Sequence, residues 1–358
     1  MILGREIEID GTKIGDGYPT YFIADIAANH DGNLDKAINL IHLAAKSGAN
    51  AAKFQHFKAE TIVSSEGFRS MGANKSHQTS WTKSVFDVYE EASLSFDWTP
   101  ILERECRAAG ITFFTSPYDI GLVDQVDEYV SAYKIVSGDI TWHTIVEHIA
   151  KKEKPTILAT GASNIGDIQS AVAAFMKHNT RLALLQCNTN YTGSLDNFKH
   201  LNLKVLDTYR SMFPSMVLGL SDHTVGYSSV LGAITLGASI IEKHFTDNRD
   251  AEGPDHKFST TPLEWREMVM ASRELEMALG TGLKKVEENE LDTVVMQRRS
   301  IRLTRDILPN EKLVDTDLIC LRPCPVDAVQ PYDWSQVIGK KLLRGLKKGD
   351  YIKWTDLG

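Results

Sequence analysis

The sequence predicts an eight-stranded parallel β/α barrel (a TIM barrel) followed by a small β-rich domain. Eight short β-branched or apolar runs recur between residues 21 and 242, and amphipathic helical patterns separate most of them. Alternating strands and helices at this spacing are typical of a parallel sheet with right-handed crossovers. A (β/α)8 barrel needs about 250 residues, which this region supplies. A doubly wound open sheet is the rival, disfavoured because no Gly-x-Gly-x-x-Gly follows the first strand.

The elements can be assigned in order along the chain. Asn33 is suited to cap the first helix, which ends at Gly48, and residues 226–237 and Pro262–Leu279 predict two later helices. Residues 58–96 form a long polar and aromatic insertion, consistent equally with a functional lid and with a surface decoration. The predicted strands are Tyr21–Ile26, Ala51–Phe54, Ile111–Thr115, Tyr133–Val136, Thr156–Ala159, Leu182–Cys187, Val217–Leu220 and Ser239–Glu242.

The C-terminal residues carry an internal repeat. The segment from Arg305 to Leu318 resembles the segment from Arg344 to Leu357, and both end in Thr-Asp-Leu. Two copies of one small unit predict a β-rich domain with pseudo-twofold symmetry, which buries little surface alone and is expected to dock against something else. The predicted organisation is a catalytic barrel over residues 1–283, a charged linker over 284–297 and the small domain over 298–358.

Composition and charge exclude several function classes. The 358 residues are 42% hydrophobic and carry a formal net charge of −8, which disfavours a nucleic-acid partner. The N-terminus lacks the pattern of a secretory signal, and no apolar stretch approaches membrane-spanning length. Four cysteines without Cys-x-x-Cys spacing are expected to be reduced thiols. The expected location is therefore the cytoplasm, with no membrane partner.

Two histidines stand at the exits of the last two predicted strands. His223 ends the run Leu-Ser-Asp-His-Thr, and His244 ends Glu-Lys-His-Phe-Thr. Neutral imidazole is a common ligand for transition metals, and the carboxyl ends of parallel strands carry the chemistry of barrel enzymes. The pair therefore predicts a metal-assisted reaction on a small polar molecule.

Lysines and carboxylates are expected at the same rim of the barrel. Lys53 and Lys134, together with hydroxyl side chains and glycine-containing turns, suit a phosphate-bearing substrate. Asp25 and Asp139 suit either an acid–base pair or groups that orient substrate hydroxyls, and the sequence does not choose between these roles.

Six motifs together resemble the sialic acid (N-acetylneuraminate) synthase family, which includes legionaminic and pseudaminic acid synthases and spore coat polysaccharide synthase-like proteins. The C-terminal repeat resembles that family's antifreeze-like (SAF, β-clip) domain. The motifs are Ala24-Asp-Ile-x-x-Asn-His-x-Gly32, Lys53-Phe-Gln55, Lys134-Ile-x-Ser-Gly138, Gly219-Leu-Ser-Asp-His-Thr224, Glu242-Lys-His-Phe-Thr246 and Gly253-Pro-Asp255.

The resemblance implies a metal-dependent condensation of phosphoenolpyruvate with an open-chain N-acylated amino-sugar aldehyde. The products would be phosphate and a nine-carbon 2-keto-3-deoxy acid for surface polysaccharide or glycan biosynthesis. A divalent ion, manganese or magnesium, would be held by His223 and His244 and act as a Lewis acid on the aldehyde. Residues implied to bind phosphoenolpyruvate are Lys53, Ser116, Lys134, Ser137, Thr189 and Ser221. Residues implied to face the sugar are Asp25, Asn74, Asp139, Tyr191 and Asp255.

The resemblance also implies a domain-swapped homodimer, in which Arg322 of one small domain reaches the sugar in the other chain's barrel. Several positions depart from the family pattern: Asp25 replaces a usual glutamate, Ser116 follows rather than precedes a threonine, and Ala159 replaces a serine. The shorter carboxylate matters for positioning. These departures predict an acceptor other than N-acetylmannosamine, with a bacillosamine-derived or other dideoxy-diamino sugar as a candidate.

Two other functions are consistent with parts of the sequence. A Schiff-base aldolase on the same barrel would use Lys53 or Lys134 as the nucleophile and would be indifferent to chelators. A non-catalytic carbohydrate-binding protein would keep the small domain as a binding module on an inactive barrel. The complete set of histidines and lysines favours the synthase.

Overall fold

The computed structural model describes residues 5–71 and 83–358, and the chain divides after Gly280 into two compact units. The strands are β1 Glu6–Ile9, β2 Thr12–Gly15, β3 Tyr21–Asp25, β4 Ala51–His56, β5 Thr112–Pro117, β6 Tyr133–Ile135, β7 Thr156–Ala159, β8 Leu182–Cys187, β9 Val217–Asp222, β10 Ile240–His244, β11 Ser300–Leu303 and β12 Leu318–Leu321. The helices are α1 Leu34–Lys46, α2 Ala59–Ile62, α3 Ser65–Met71, α4 Val85–Ala92, α5 Thr99–Ala109, α6 Ile120–Val126, α7 His143–Ala150, α8 Ile165–Met176, α9 Val205–Met212, α10 Ser228–Thr235, α11 Pro262–Leu279, α12 Leu291–Gln297 and α13 Trp334–Val337.

Strands β3 to β10 form a closed parallel barrel. β10 pairs with both β9 and β3, which closes the sheet. The predicted barrel is thus confirmed and the open sheet is wrong. All eight predicted runs are strands, but several ends differ by one or two residues. In particular, β9 extends to Asp222 and β10 extends to His244, because these polar residues continue the backbone pairing.

The barrel strands are buried on both faces, so they appear in the sequence as nearly continuous apolar runs. Helix boundaries follow local capping. The Asn33 side chain accepts a hydrogen bond from the Lys36 backbone N–H at the start of α1, as predicted. Thr261 and Glu264 form a capping box at the start of α11.

An N-terminal hairpin, β1–β2, precedes the barrel and was not predicted. Its Ile7, Ile9 and Ile14 side chains are buried in the same hydrophobic core as the barrel. Asp10 and Gly11 form its turn with positive φ angles of 49° and 73°. An Asp-Gly turn between alternating polar and apolar residues is a hairpin signal that the sequence analysis did not use.

The insertion after β4 contains helical structure in its described parts. Helices α2, α3 and α4 lie within residues 58–96. In α4, the partly buried positions Val85, Val88, Tyr89 and Ala92 follow helical spacing and define one face.

The C-terminal unit has its own hydrophobic core, which includes Ile301, Leu313 and Ile352. Strands β11 and β12 pair antiparallel within it. Helix α12 occupies half of the segment interpreted from the sequence as a linker.

Equivalent side-chain bonds recur in the two copies of the C-terminal repeat. Arg305 Nε donates to Asp317 Oδ1 at 2.7 Å, and Arg344 Nε donates to Asp356 Oδ1 at 2.6 Å. Both aspartates are buried, and each also accepts a backbone N–H from three residues earlier. The repeat read from the sequence is therefore present in the bonding of the domain. In neither unit do the described helices include one that is long and apolar enough to cross a membrane.

Candidate active site

The carboxyl ends of the barrel strands surround a cavity of roughly 360 Å³. Most of the residues singled out from the sequence meet in it, because the ends of parallel strands converge at one rim. The predicted residues that line it are Asp25, Lys53, Lys134, Ser137, Asp139, Thr189, Tyr191, Ser221, His223 and His244. Asp255 lines an adjoining pocket that shares Tyr191 and His244 with this cavity.

Four buried charges lie at the base of the cavity. Lys53 Nζ is 2.7 Å from Asp25 Oδ2 and 3.6 Å from Glu242 Oε2, while Lys134 Nζ is 2.5 Å from Glu242 Oε1. The two ammonium and two carboxylate groups balance, which is what allows charges to be buried at all. We call Asp25, Lys53, Lys134 and Glu242 the four-charge cluster.

The ionisation of the cluster follows from burial and pairing. Burial alone would lower the pKa of Lys53, but the adjacent carboxylates of Asp25 and Glu242 raise it above the usual value. Burial opposes ionisation of Glu242, yet the two lysines lower its pKa well below the usual range. Burial lowers the pKa of Lys134 in spite of its contact with Glu242. Lys53 is therefore a fixed cation beside the cavity.

Glu242 was given no role in the sequence analysis, although it belongs to the same strand motif as His244. Its Oε1 accepts hydrogen bonds from Lys134 Nζ and from Ser221 Oγ, the latter at 3.0 Å. Its Oε2 has no hydrogen-bond partner among the described residues. The signal that could have identified it is strand alternation, which places Glu242 and His244 on the same face of β10.

The two histidines lie side by side with a ring-centroid separation of 5.4 Å. His223 Nδ1 lies 3.0 Å from the carbonyl oxygen of Asn188. Because a carbonyl only accepts, Nδ1 carries a proton, and the neutral form of this ring has its lone pair on Nε2. Burial opposes protonation of His223, but Cys187 and the Asn188 carbonyl raise its pKa above the usual value. Burial, with the neighbouring His223 ring, lowers the pKa of His244 well below its usual value, so this ring is neutral. His244 Nδ1 has no hydrogen-bond partner in the described part of the chain.

In their neutral forms these two imidazoles meet the chemical requirement for binding one divalent ion, since each ring then has a nitrogen lone pair available. The described residues contain no group of three or more His, Cys, Asp or Glu side chains arranged to hold a metal. A metal at this position would therefore take only two ligands from the described protein, and substrate and water would supply the others.

A second buried ion pair lies on the opposite face of the same two strands. Lys243 Nζ is 2.6 Å from Asp222 Oδ2 and donates to the Thr224 carbonyl at 2.6 Å. Asp222 Oδ1 accepts from the Thr224 backbone N–H at 3.0 Å and from its hydroxyl at 2.8 Å. These bonds fix the backbone on both sides of His223, so they orient its ring without contacting the cavity.

Hydroxyl groups cluster around Gly161 at another side of the cavity. The Gly161 N–H donates to Ser137 Oγ at 3.0 Å. A Cβ at this position would lie 1.8 Å from Thr189 Oγ1, 2.9 Å from Ser137 Oγ and 3.1 Å from Cys187 Sγ. Only glycine lets the Thr189 and Ser137 hydroxyls pack this closely against the backbone, and short hydrogen-bonding groups of this kind are suited to binding phosphate. Cys187 was missed as a site residue.

Three carboxylates differ in how they face the cavity. Asp25 is held back, because Oδ2 contacts Lys53 and Gln55 while Oδ1 accepts from the Ala27 N–H at 3.1 Å. Burial raises the pKa of Asp139 to about 6. Burial also raises the pKa of Asp255 to about 6, against the hydrogen bond that it accepts from the Ala28 N–H. The last two are therefore able to exchange protons near neutral pH.

Two predicted residues that the structure describes, Ser116 and Arg322, line neither the cavity nor the adjoining pocket. Ser116 is buried on β5 in register with Gln55, and its Oγ has no hydrogen-bond partner within the described ranges. Arg322 is exposed in the C-terminal unit, where its Nε donates to the Gln297 carbonyl at 2.6 Å. Asn74 lies outside the described residues. Gln55 and Tyr118, which do line the cavity, were not assigned roles from the sequence.

The fold and the cavity together define a (β/α)8-barrel protein with a polar, charge-balanced site at the carboxyl ends of its strands. The model of the NeuB family matches residues 40–284, and the SAF domain model matches residues 298–358. The chain belongs to the NeuB family and carries a C-terminal SAF domain, as the resemblance predicted.

Named relatives align with nearly the whole chain. The N,N'-diacetyllegionaminic acid synthase of Legionella pneumophila is 32% identical over 362 residues, covering 99% of each chain. The pseudaminic acid synthase of Campylobacter jejuni is 31% identical, covering 94% of this chain and 96% of its own. The crystal structure of a sialic acid synthetase from Leptospira borgpetersenii superposes with a TM-score of 0.70 at 29% identity, covering 81% of this chain and 95% of its own.

Proposed function

We propose that this protein condenses phosphoenolpyruvate with an open-chain N-acylated amino-sugar aldehyde to give a nine-carbon 2-keto-3-deoxy acid and phosphate. The observation that carries the proposal is the convergence of Lys53, Lys134, the hydroxyls around Gly161 and the histidine pair in one cavity. The names of the aligned relatives, which are synthases of legionaminic and pseudaminic acids, support the same reaction class.

Phosphoenolpyruvate would bind through its two anionic groups. The Lys53 and Lys134 ammonium groups supply positive charge, and Ser137, Thr189 and Ser221 supply short hydroxyl donors. Binding an anion next to the neutral four-charge cluster draws the lysines away from their carboxylates. This reorganisation has an energetic cost. In return, the two carboxylates neutralise the buried lysines while no substrate is bound.

The proposed reaction needs protons moved at two points. When C3 of phosphoenolpyruvate attacks the aldehyde carbon, the aldehyde oxygen takes up a proton. Water then adds to C2 and loses a proton, and the resulting C2 hydroxyl becomes the ketone as the C–O bond breaks and its remaining proton leaves with the phosphate. Asp139 and Asp255, both with pKa raised to about 6, are suited to these transfers. Asp25, held by Lys53, is better suited to orienting the acceptor through Gln55.

A divalent ion would be held by His223 and His244. When bound, it would supply Lewis-acid polarisation of the aldehyde oxygen. Two imidazole donors favour manganese over magnesium, because magnesium prefers oxygen ligands. Asp222 and Lys243 would keep His223 oriented for this role.

The Schiff-base aldolase is disfavoured as a second function. Its nucleophile must be a neutral amine. Lys53 has a raised pKa and lies 2.7 Å from a carboxylate. Burial lowers the pKa of Lys134, but its Nζ lies 2.5 Å from Glu242 Oε1, and this ion pair favours the ammonium form over the neutral amine. Borohydride in the presence of a keto substrate should therefore not trap a covalent adduct.

The deciding experiment measures phosphate release from phosphoenolpyruvate across a panel of amino sugars. Release should need both a sugar and a divalent ion, stop with a chelator and return when manganese is added. Mass spectrometry of the product should show a nine-carbon keto acid. Failure to release phosphate with any sugar, with metal supplied, would overturn the proposal.

The domain-swapped homodimer is part of the same proposal, and Arg322 is the side chain expected to act on the partner's site. Arg322→Ala and Lys53→Met should each be nearly inactive as pure proteins. Mixed and allowed to exchange subunits, they should regain activity, because some dimers then contain one intact site. Sedimentation should show a dimer, and no recovery in an exchanged mixture would contradict the swap.

A further inference from the structure

A smaller pocket of roughly 160 Å³ adjoins the main cavity and differs from it in character. Its polar end consists of His244 and Asp255, and its other end consists of Phe57, Val88 and Ala92. It shares five lining residues with the main cavity, so the two lie side by side. The shared residues are Gln55, Tyr89, Tyr118, Tyr191 and His244.

The apolar end of the pocket is built by two elements. Phe57 follows β4, and its ring packs against Tyr89 at 5.4 Å and edge-on against Tyr118 at 5.7 Å between centroids. Helix α4 contributes Val88, Tyr89 and Ala92 from its partly buried face. These packed rings give the apolar end a fixed shape.

The charge of this pocket is as informative as its shape. No lysine or arginine occurs among its described lining residues, and Asp255 is an acidic group within it. Against the lining residues that the structure describes, a phosphate group would lose water without gaining a positive partner and would face a carboxylate. A methyl group would instead gain apolar contacts that it lacks in water.

We propose that this pocket binds the methyl-bearing part of an N-acylated, 6-deoxy amino sugar, and that Phe57, Val88 and Ala92 select such a sugar over a 6-hydroxy or 6-phosphorylated one. The inference rests on the proposed function, since it assigns the polar end of the pocket to the reacting aldehyde. Apolar pockets of this kind discriminate by about 10- to 200-fold for a small change in the substrate.

Competition among three acceptors tests the selection. We expect kcat/KM to be highest for a 2,4-diacetamido-2,4,6-trideoxyhexose, about 10- to 200-fold lower for N-acetylmannosamine, and lowest for N-acetylmannosamine 6-phosphate. Val88→Thr keeps the side-chain shape but adds a hydroxyl. It should narrow the preference for the trideoxy sugar by about fourfold, which corresponds to the value of one buried methyl group.

Val85→Thr is the matched control, because it makes the same change on the same helix outside the pocket lining. It should leave the preference unchanged, and circular dichroism should show both variants folded. Equal effects of the two substitutions, or a preference for the phosphorylated sugar, would overturn the assignment.

Saturation-transfer difference NMR separates this inference from the proposed reaction, because it reports binding without turnover. The C6 methyl protons of the trideoxy sugar should receive the most saturation, and Val88→Thr should selectively reduce the saturation of these protons. Methyl saturation without phosphate release would overturn the proposed function but support the pocket assignment. Methyl protons saturated no more than the carbon-chain protons would refute the assignment even in an active enzyme.

Discussion

Replacing Glu242 with glutamine removes one of the two carboxylates that neutralise Lys53 and Lys134. Glu242 is 4% exposed and contacts both ammonium groups, so the variant leaves one net positive charge in a buried site. Breaking a buried pair in this way costs about 3–5 kcal/mol. For a unit of this size, that corresponds to a fall in melting temperature of about 6–15 °C.

Thermal unfolding with and without phosphoenolpyruvate tests this reasoning. The unliganded Glu242→Gln protein should melt well below the wild type, but the added anion should raise its melting temperature by more than it raises that of the wild type. The reason is that the anion restores neutrality to the cluster and stabilises only the folded state. Glu66→Gln is the control, since Glu66 pairs with Arg69 on the surface with 78% of its side chain exposed. Such a pair is worth about 0–1 kcal/mol.

Two results would refute the account of Glu242. One is a melting temperature within about 2 °C of the wild type, which corresponds to less than about 1 kcal/mol. The other is an equal response of both proteins to phosphoenolpyruvate, since that would mean that the cluster does not sense the bound anion.

Three further substitutions test the rest of the site. Asp139→Asn should flatten the loss of activity that occurs as pH falls through about 6, measured by a pH–rate profile. Because folding raises the pKa of this acid, its ionised form destabilises the folded state above pH 6. Urea unfolding of the variant at pH 8 should therefore show a gain of about 1–3 kcal/mol that shrinks towards pH 4. An unchanged pH–rate profile and an unchanged stability would contradict the raised pKa of the half-buried Asp139 carboxyl. Gly161→Ala should raise the KM for phosphoenolpyruvate at least about tenfold. Gly138→Ala, whose Cβ would meet nothing within 4 Å, should leave this KM unaltered. Equal KM values for the two variants would show that the hydroxyls packed against Gly161 do not bind phosphoenolpyruvate. Lys243→Met leaves Asp222 buried without its cation and should lower the free energy of unfolding by about 3–5 kcal/mol; a loss below about 1 kcal/mol by urea titration would show that the pair does not hold the strands.

The barrel could be predicted because parallel strands that are buried on both faces appear in the sequence as short, nearly continuous apolar runs. Runs such as Leu182–Cys187 are apolar throughout, and such a run flanked by helical patterns has few other structural interpretations. Strand ends were less predictable. Asp222 and His244 are polar residues that remain in the sheet although polar residues usually mark the end of a buried strand. His244 lines the cavity, and Asp222 pairs with the buried Lys243.

The set of residues at the site was more predictable than their partners. Strand ends converge at the same rim, so Lys53, Lys134 and His223 could be grouped from the sequence. Asp25 and Lys53 lie on neighbouring strands, but Glu242 contacts both lysines across the inside of the barrel, from a strand that is next to neither of theirs. Glu242 reaches Lys134 over 108 positions of sequence, and no local pattern encodes that distance. The apolar end formed with α4 is equally non-local.

The motif Glu242-Lys243-His244 has a division of labour that the alternation of a β-strand explains. Glu242 and His244 point into the barrel, where Glu242 neutralises the lysines that line the cavity and His244 lines the cavity with its ring. Lys243 points to the opposite face and pairs with Asp222, which is itself adjacent to His223. The outward pair therefore ties together the two strands that carry the histidines. A shift of β10 by one residue would exchange these roles, placing a lysine in the cavity and two site residues behind it. The register of β10 is consequently as much a functional constraint as the identity of its side chains.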